Sequence, residues 1–125
     1  MTFWGVVGAL NVFLSVALGA FGAHGLKGKI APDLLDIYQT GVHYQMIHGL
    51  GLLLIAALIG QVGPQAARLF SFGAWALVVG VVLFSGSLYV LAMSGVRLWG
   101  AVTPFGGVAF LIGWVLVALA FGKAR

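Results

Sequence analysis

The 125-residue sequence predicts an all-α integral membrane protein, an antiparallel bundle of four transmembrane helices with a short interfacial helix or helical extension before the second. Three observations carry that prediction. Hydrophobic residues make up 62% of the chain and charged residues 6%, with a mean hydropathy of +1.17. A soluble domain carries about 25% charged residues, so this chain cannot cover a water-facing surface. The eight charged residues fall in four places: 27–36, Arg68, Arg97 and 123–125. Between them lie charge-free stretches at about 3–22, 42–60, 69–93 and 104–122. Roughly 20 helical residues cross a hydrocarbon core about 30 Å thick, and each stretch suffices. Finally, nothing alternates apolar and polar over segments of about 10 residues, which excludes a β-barrel reading. A soluble enzyme, a nucleic-acid binder and a disordered chain are excluded with it. The absence of cysteine removes disulfides, thiolate metal sites, iron–sulfur clusters and cysteine nucleophiles.

The first stretch reads as a span rather than a secretory signal, because it lacks a basic start and exceeds the usual apolar region of about 7–15 residues. Gly5, Gly8, Asn11, Ser15, Gly19 and Gly22 recur along it every three or four residues. Helices in lipid associate by close backbone approach and polar contacts, so this stripe predicts an inward seam. In the following link, Pro32 and Asp33 mark a helix start. Leu34, Leu35 and Tyr38 share one face, while Asp33, Asp36 and Thr40 share another. The pattern suits an interfacial helix over about 32–41, or an extension of helix 2, which we favour, with a bend at Gly41. The remaining links, 61–68 and 94–103, are short, so helices 2 and 3, and 3 and 4, are expected to be antiparallel neighbours. Helix 3 repeats small residues every seventh position at Gly73, Gly80, Ser87 and Ser94. Thr103 and Pro104 read as the N-cap and first residue of helix 4, which carries Gly106, Ala109, Gly113 and Ala120 on one side. Trp4, Trp99, Tyr38 and Tyr44 fall near the expected interfaces; Trp75 and Trp114 read as packed or lipid-facing, and none calls for a cofactor. Lys and Arg divide three against three between the two sides, which nearly balances the orientation signal; both termini inside is the favoured arrangement, with dual insertion the alternative.

Uncharged polarity is less even. Counted inward from the edge shared by the end of helix 1 and the start of helix 2, Ser15, His48 and Ser87 all lie roughly 9–11 Å deep. Asn11 lies a turn deeper, Tyr44, Gln45 and Tyr89 shallower, and the opposite half is apolar apart from Ser71. His24, His43, Lys27, Lys29, Asp33, Asp36 and Arg97 lie above the polar half. A histidine inside a span must pair or meet water, and two readings follow. In one, His48 bonds Ser15, Asn11 or Ser87 and sets helix register. In the other, a water-accessible vestibule holds a polar ligand, a lipid headgroup or a proton on His48. Metal binding is disfavoured, since His24, His43 and His48 include no pair four apart on a helix. Haem ligation meets the same obstacle, and no nucleophile elbow or zinc-hydrolase motif is present. No acidic residue lies within a span, which argues against a carboxylate-driven proton antiporter.

Four ordered motifs carry a family resemblance: Gly19-Ala-Phe-Gly-Ala-His-Gly-Leu-Lys27, then Tyr38-Gln-Thr-Gly-Val-His-Tyr-Gln-Met-Ile-His-Gly49, Phe84-Ser-Gly-Ser-Leu-Tyr89, and Thr103-Pro-Phe-Gly-Gly107 with Gly113-Trp114. Over essentially its whole length the chain resembles the small bacterial YgdD/YwdK-like membrane proteins, a family of unknown function with eukaryotic relatives among the small transmembrane proteins. The resemblance implies a four-helix inner-membrane protein and no established activity, cofactor or catalytic residue. Position 43 departs from it: glutamine is frequent there in the family, with histidine after the next aromatic, which leaves His48 the better ligand candidate than His43.

The reading that follows is a membrane protein of unknown function, non-enzymatic, with a one-sided polar pocket for a small molecule or lipid headgroup. Its candidate residues are Asn11, Ser15, His24, Tyr44, Gln45, His48, Ser85, Ser87, Tyr89 and Thr103. The alternative is a structural or assembly protein whose polar network only fixes packing. A transporter or channel subunit comes third, because it needs a path through the apolar half. Membrane lipids are the expected partners, with a small-molecule ligand possible in the pocket; nucleic acid, metal and cofactor are not expected.

Overall fold

The computed structural model describes residues 2–124. Four helices long and apolar enough to cross a membrane account for nearly all of it. They are α1 (Phe3–Leu26), α2 (Pro32–Ile59), α3 (Pro64–Ser94) and α4 (Thr103–Lys123), the last preceded by a 3-10 turn over Arg97–Ala101. Pro32 and Pro64 at the first positions of α2 and α3, and Pro104 at the second of α4, start those helices, where a missing N–H costs nothing. Gly95, in the left-handed conformation at φ 72°, ends α3 by returning its N–H to the Leu91 carbonyl.

The helices zip into two pairs, α1 against α2 and α3 against α4, and α2 joins the pairs through α3. Glycine closes each pair. A Cβ on Gly8 would stand 2.9 Å from the Gly49 carbonyl oxygen and from the Leu53 nitrogen. On the other pair, a Cβ on Gly73 or on Gly113 would stand 3.2 Å from the carbonyl oxygen of the other, and one on Gly106 would reach 2.3 Å from the Phe84 nitrogen. Backbones this close maximise dispersion contact, the main attraction left when the surroundings are as apolar as the helices. The small-residue seams expected of helices 1 and 4 thus face their partners.

Two apolar clusters fill the interior. The larger, towards the chain termini, includes Trp4, Leu52, Ile55, Phe70, Leu77, Phe110 and Val117. The smaller gathers Leu26, Tyr38, Val42 and Ala92 near the other edge. Two π-helical turns interrupt the regular winding, Gly22–Leu26 at the end of α1 and Val81–Ser85 within α3.

Several local expectations are corrected. The helix starting at Pro32 is the favoured extension of helix 2, but the bend expected at Gly41 is absent, and α2 winds through it without a break. Glycine serves packing there instead of a bend, since a Cβ would fall 2.9 Å from the Tyr89 ring. Ser94 leaves the helix 3 seam: it is exposed, bonds the Val90 carbonyl and accepts the Val96 N–H. Thr103 is not the N-cap, which is Val102; its hydroxyl meets Ser87. Tyr38 is only 2% exposed and donates to the Leu18 carbonyl, so it is a core residue rather than a headgroup-facing ring.

Candidate functional site

The polar residues resolve into three sets of hydrogen bonds. The first ties α1, α2 and α3 together. Tyr89 donates to Gln45 Oε1 at 2.7 Å, Gln45 Nε2 donates to Asn11 Oδ1 at 3.3 Å, and Asn11 Nδ2 donates to the Val7 carbonyl at 3.0 Å. Ser85 adds a second tie between α3 and α2, donating to the Gly41 carbonyl at 2.7 Å. The second set joins α3 to α4. Ser87 Oγ lies 3.0 Å from the Phe84 carbonyl and 2.6 Å from Thr103 Oγ1. A carbonyl only accepts, so Ser87 donates to Phe84 and Thr103 donates to Ser87.

The third set centres on His48 and joins α2 to α4. Its Nδ1 lies 2.6 Å from the Tyr44 carbonyl, and Trp114 Nε1 donates to its Nε2 at 3.0 Å. An indole N–H cannot accept and a carbonyl cannot donate, so the proton sits on Nδ1 and Nε2 is the acceptor. The imidazole is therefore a neutral ring of one defined tautomer. It lies face to face with Phe110, centroids 3.6 Å apart and planes within 9°. Two glycines make room for these aromatic partners. A Cβ on Gly80 would fall 2.3 Å from the Phe110 ring, and one on Gly51 would fall 2.9 Å from Trp114.

Ser15, His48 and Ser87 share a depth but not a bond. Ser15, fully buried, donates to Val12 of its own helix at 2.8 Å, and the other two have the partners just described. His24 and His43 are exposed. Among the described residues every buried side-chain nitrogen or oxygen has a hydrogen-bond partner. The polar half is thus a committed network, and the expected bonds of His48 to Ser15, Asn11 or Ser87 are replaced by those to Tyr44 and Trp114. Trp114 is the residue missed from the sequence. Its signal was an indole N–H deep in a span, which must find an acceptor because lipid offers none.

Beside His48 the surface recedes. A groove of about 480 Å³ runs between α2 and α4, lined by Tyr44, Ile47 and His48 of α2, Phe84 of α3, and Gly107, Phe110, Leu111 and Trp114 of α4. Aromatic side chains fill the space between the helices here: His48 of α2 stacks on Phe110 of α4, and Tyr44, 40% exposed, packs on Phe84 of α3 with centroids 4.4 Å apart. The groove is open on one side, towards the position of lipid. Above it, Arg97 of the turn before α4 pairs with Asp33 in the first turn of α2, both exposed.

The chain is similar to the UPF0382 membrane protein YwdK of Bacillus subtilis strain 168, 45% identical over 118 residues that cover 94% of each chain. It is also similar to the UPF0382 membrane protein SERP0230 of Staphylococcus epidermidis, 46% identical over 92% of this chain and 91% of the relative. A third relative, SH2409 of Staphylococcus haemolyticus, is 42% identical over 94% of this chain and 93% of its own length. No solved structure matches. The family model described as "Protein of unknown function (DUF423)" matches residues 18–107, a range containing His48, Gln45, Tyr89 and Gly107. With that match and relatives of this similarity over nearly the whole chain, the protein belongs to the DUF423 family of multi-pass membrane proteins.

Proposed function

We propose that this is a non-enzymatic membrane protein that binds a lipid-borne molecule in the groove between α2 and α4. One observation carries the reading: the groove opens sideways into lipid at the point where His48 is held deep in the bilayer by two hydrogen bonds. Intramembrane histidines mark functional positions by default, and apolar recesses with a few placed polar groups are the common form of ligand sites. Catalysis has less support. The only acidic residues in the sequence, Asp33 and Asp36, lie in the first two turns of α2, and among the described residues no hydroxyl nucleophile is bonded to His48.

The test uses Gly107, where an added Cβ would meet nothing within 4 Å. Gly107→Leu therefore plugs the groove without disturbing the helix pair. In nanodiscs containing a phospholipid with a diazirine-bearing acyl chain, the wild type should crosslink at Tyr44, Ile47 or Leu111. Gly107→Leu should lose those crosslinks, and Gly122→Leu, another glycine facing open space, should keep them. Crosslinking at these positions that is indifferent to Gly107→Leu defeats the reading.

A second reading, a packing or assembly role for the polar network alone, is favoured by the full pairing of buried polar atoms among the described residues. It predicts that His48→Ala lowers stability while no added molecule shifts the melting temperature.

A further inference from the structure

The two links on the side away from the chain termini fold in opposite ways. In the α1–α2 link, Leu26 is buried and Ile30 packs against the cluster it forms with Tyr38, Val42 and Ala92, while Lys27 and Lys29 stand exposed. That is how a loop in water behaves, with apolar side chains turned inward and charges outward. The α3–α4 link does the reverse. Its one charge, Arg97, pairs with Asp33 at the start of α2. Leu98 is 79% exposed, and Val96 and Trp99 are exposed beside it, around a recess of about 260 Å³ that Val102 completes.

The winding of the link decides which residues face out. Residues three apart share a face of a 3-10 turn. Gly100, on the face of Arg97, lies towards the bundle, where a Cβ would stand 3.5 Å from Leu91. Leu98 and Ala101 share an outer face and are both exposed.

The exposed patch continues the lipid-facing belts of its own hairpin. Val90 and Met93 lead up to it along α3, and Phe105, 70% exposed, and Val108 carry it on along α4. Between Arg68 and Lys123 the only charged residue is Arg97. An apolar strip that runs unbroken from one span through the link into the next has lipid as its neighbour along its whole length. Tryptophan in such a strip belongs where headgroups meet acyl chains.

We propose that the α3–α4 link is an interfacial anchor whose partner is the phospholipid leaflet. Its backbone lies among the headgroups, Val96, Leu98 and Trp99 insert between the upper acyl chains, and Arg97 stays at headgroup level on Asp33. The α1–α2 link, at the same edge, stands in water. The anchor sets the depth of the α3–α4 hairpin, and the Arg97–Asp33 pair ties α2 to that depth.

The test places a nitroxide label at a single cysteine, Leu98→Cys or Lys27→Cys, in the whole chain reconstituted in phosphatidylcholine–phosphatidylglycerol nanodiscs. Both positions are exposed, so neither label disturbs the core. Collisions with oxygen, which concentrates in hydrocarbon, are compared with collisions with a water-soluble nickel chelate. The ratio of oxygen to nickel collisions should be several-fold higher at Leu98 than at Lys27. Nickel collisions as frequent at Leu98 as at Lys27 put the link in water and overturn the proposal. A Leu98 label shielded from both reagents means that protein, a second copy or a partner, covers the patch, which overturns it equally. An oxygen preference of the same size at both positions submerges the whole edge and overturns the contrast between the links.

Discussion

His48 shows how a residue can be legible while its partner is not. A histidine deep in a charge-free stretch stands out in sequence, because it needs a hydrogen bond that lipid does not supply. Counting backbone depth then pointed to Ser15 and Ser87, at the same level. Trp114 begins roughly 15 Å below the edge at which α4 enters, against about 9 Å for His48. Helical side chains lean towards the N-terminus, so the long indole of Trp114 rises to the level of the histidine. Depth arithmetic treats side chains as points, and tryptophan is the residue for which that fails most. A double-mutant cycle of His48→Phe and Trp114→Phe, read by unfolding in mixed micelles, should return a coupling of about 0.6–1.7 kcal/mol, the range for hydrogen bonds between membrane helices. His48→Ala should cost more, about 2–4 kcal/mol, since it strands the indole N–H and opens a cavity against Phe110.

Among the elements, the four spans were readable from charge placement alone, because a charge within the hydrocarbon core is expensive enough to leave a sharp mark in sequence. The continuity of α2 with its extension was also legible, from Pro32 and the amphipathic turns that follow. The π-turn at Val81–Ser85 was not. Such a turn takes in one extra residue and rotates everything after it, at a place set by tertiary packing rather than local preference. Ser94 leaves the seam that Gly73, Gly80 and Ser87 share because it is the last residue of α3, exposed beside the left-handed Gly95 that ends the helix. Glycines sort in the same way. Sequence periodicity finds those that pack but cannot separate Gly106, pressed on the Phe84 backbone, from Gly107, which faces open space. Gly106→Ala should destabilise the protein by about 1–3 kcal/mol through overpacking. Gly107→Ala should stay within about 0.5 kcal/mol, as for other changes that touch nothing. Thermal unfolding of the two variants side by side checks the contrast.

At the scale of the whole molecule, an even number of spans places the α2–α3 link and both ends of the described chain on one side. The α1–α2 and α3–α4 links lie on the other. The chain has no cysteine, so single cysteines report sidedness without background. Thr2→Cys, Gly63→Cys and Lys123→Cys should react with an impermeant maleimide from the same face of sealed vesicles, and Lys27→Cys and Gly100→Cys only from the opposite face. A mixture of both patterns in one preparation would reveal dual insertion, which the even division of Lys and Arg leaves open.

The pairing of α1 with α2 and α3 with α4 also bears on biogenesis. Each pair is a helical hairpin closed by its own glycine contacts, and most backbone packing of α1 is to α2. The first hairpin is therefore complete once residue 59 has emerged and can leave the translocation channel before α3 is made. The second then docks on it through close packing of α3 on α2 and through hydrogen bonds from Ser85 to the Gly41 carbonyl, Tyr89 to Gln45 and Trp114 to His48. Assembly order is written into the fold as closure of each hairpin on its own glycines, followed by docking of α3 on α2. Halves severed in the Gln61–Gly63 turn and co-expressed should consequently find each other in the membrane.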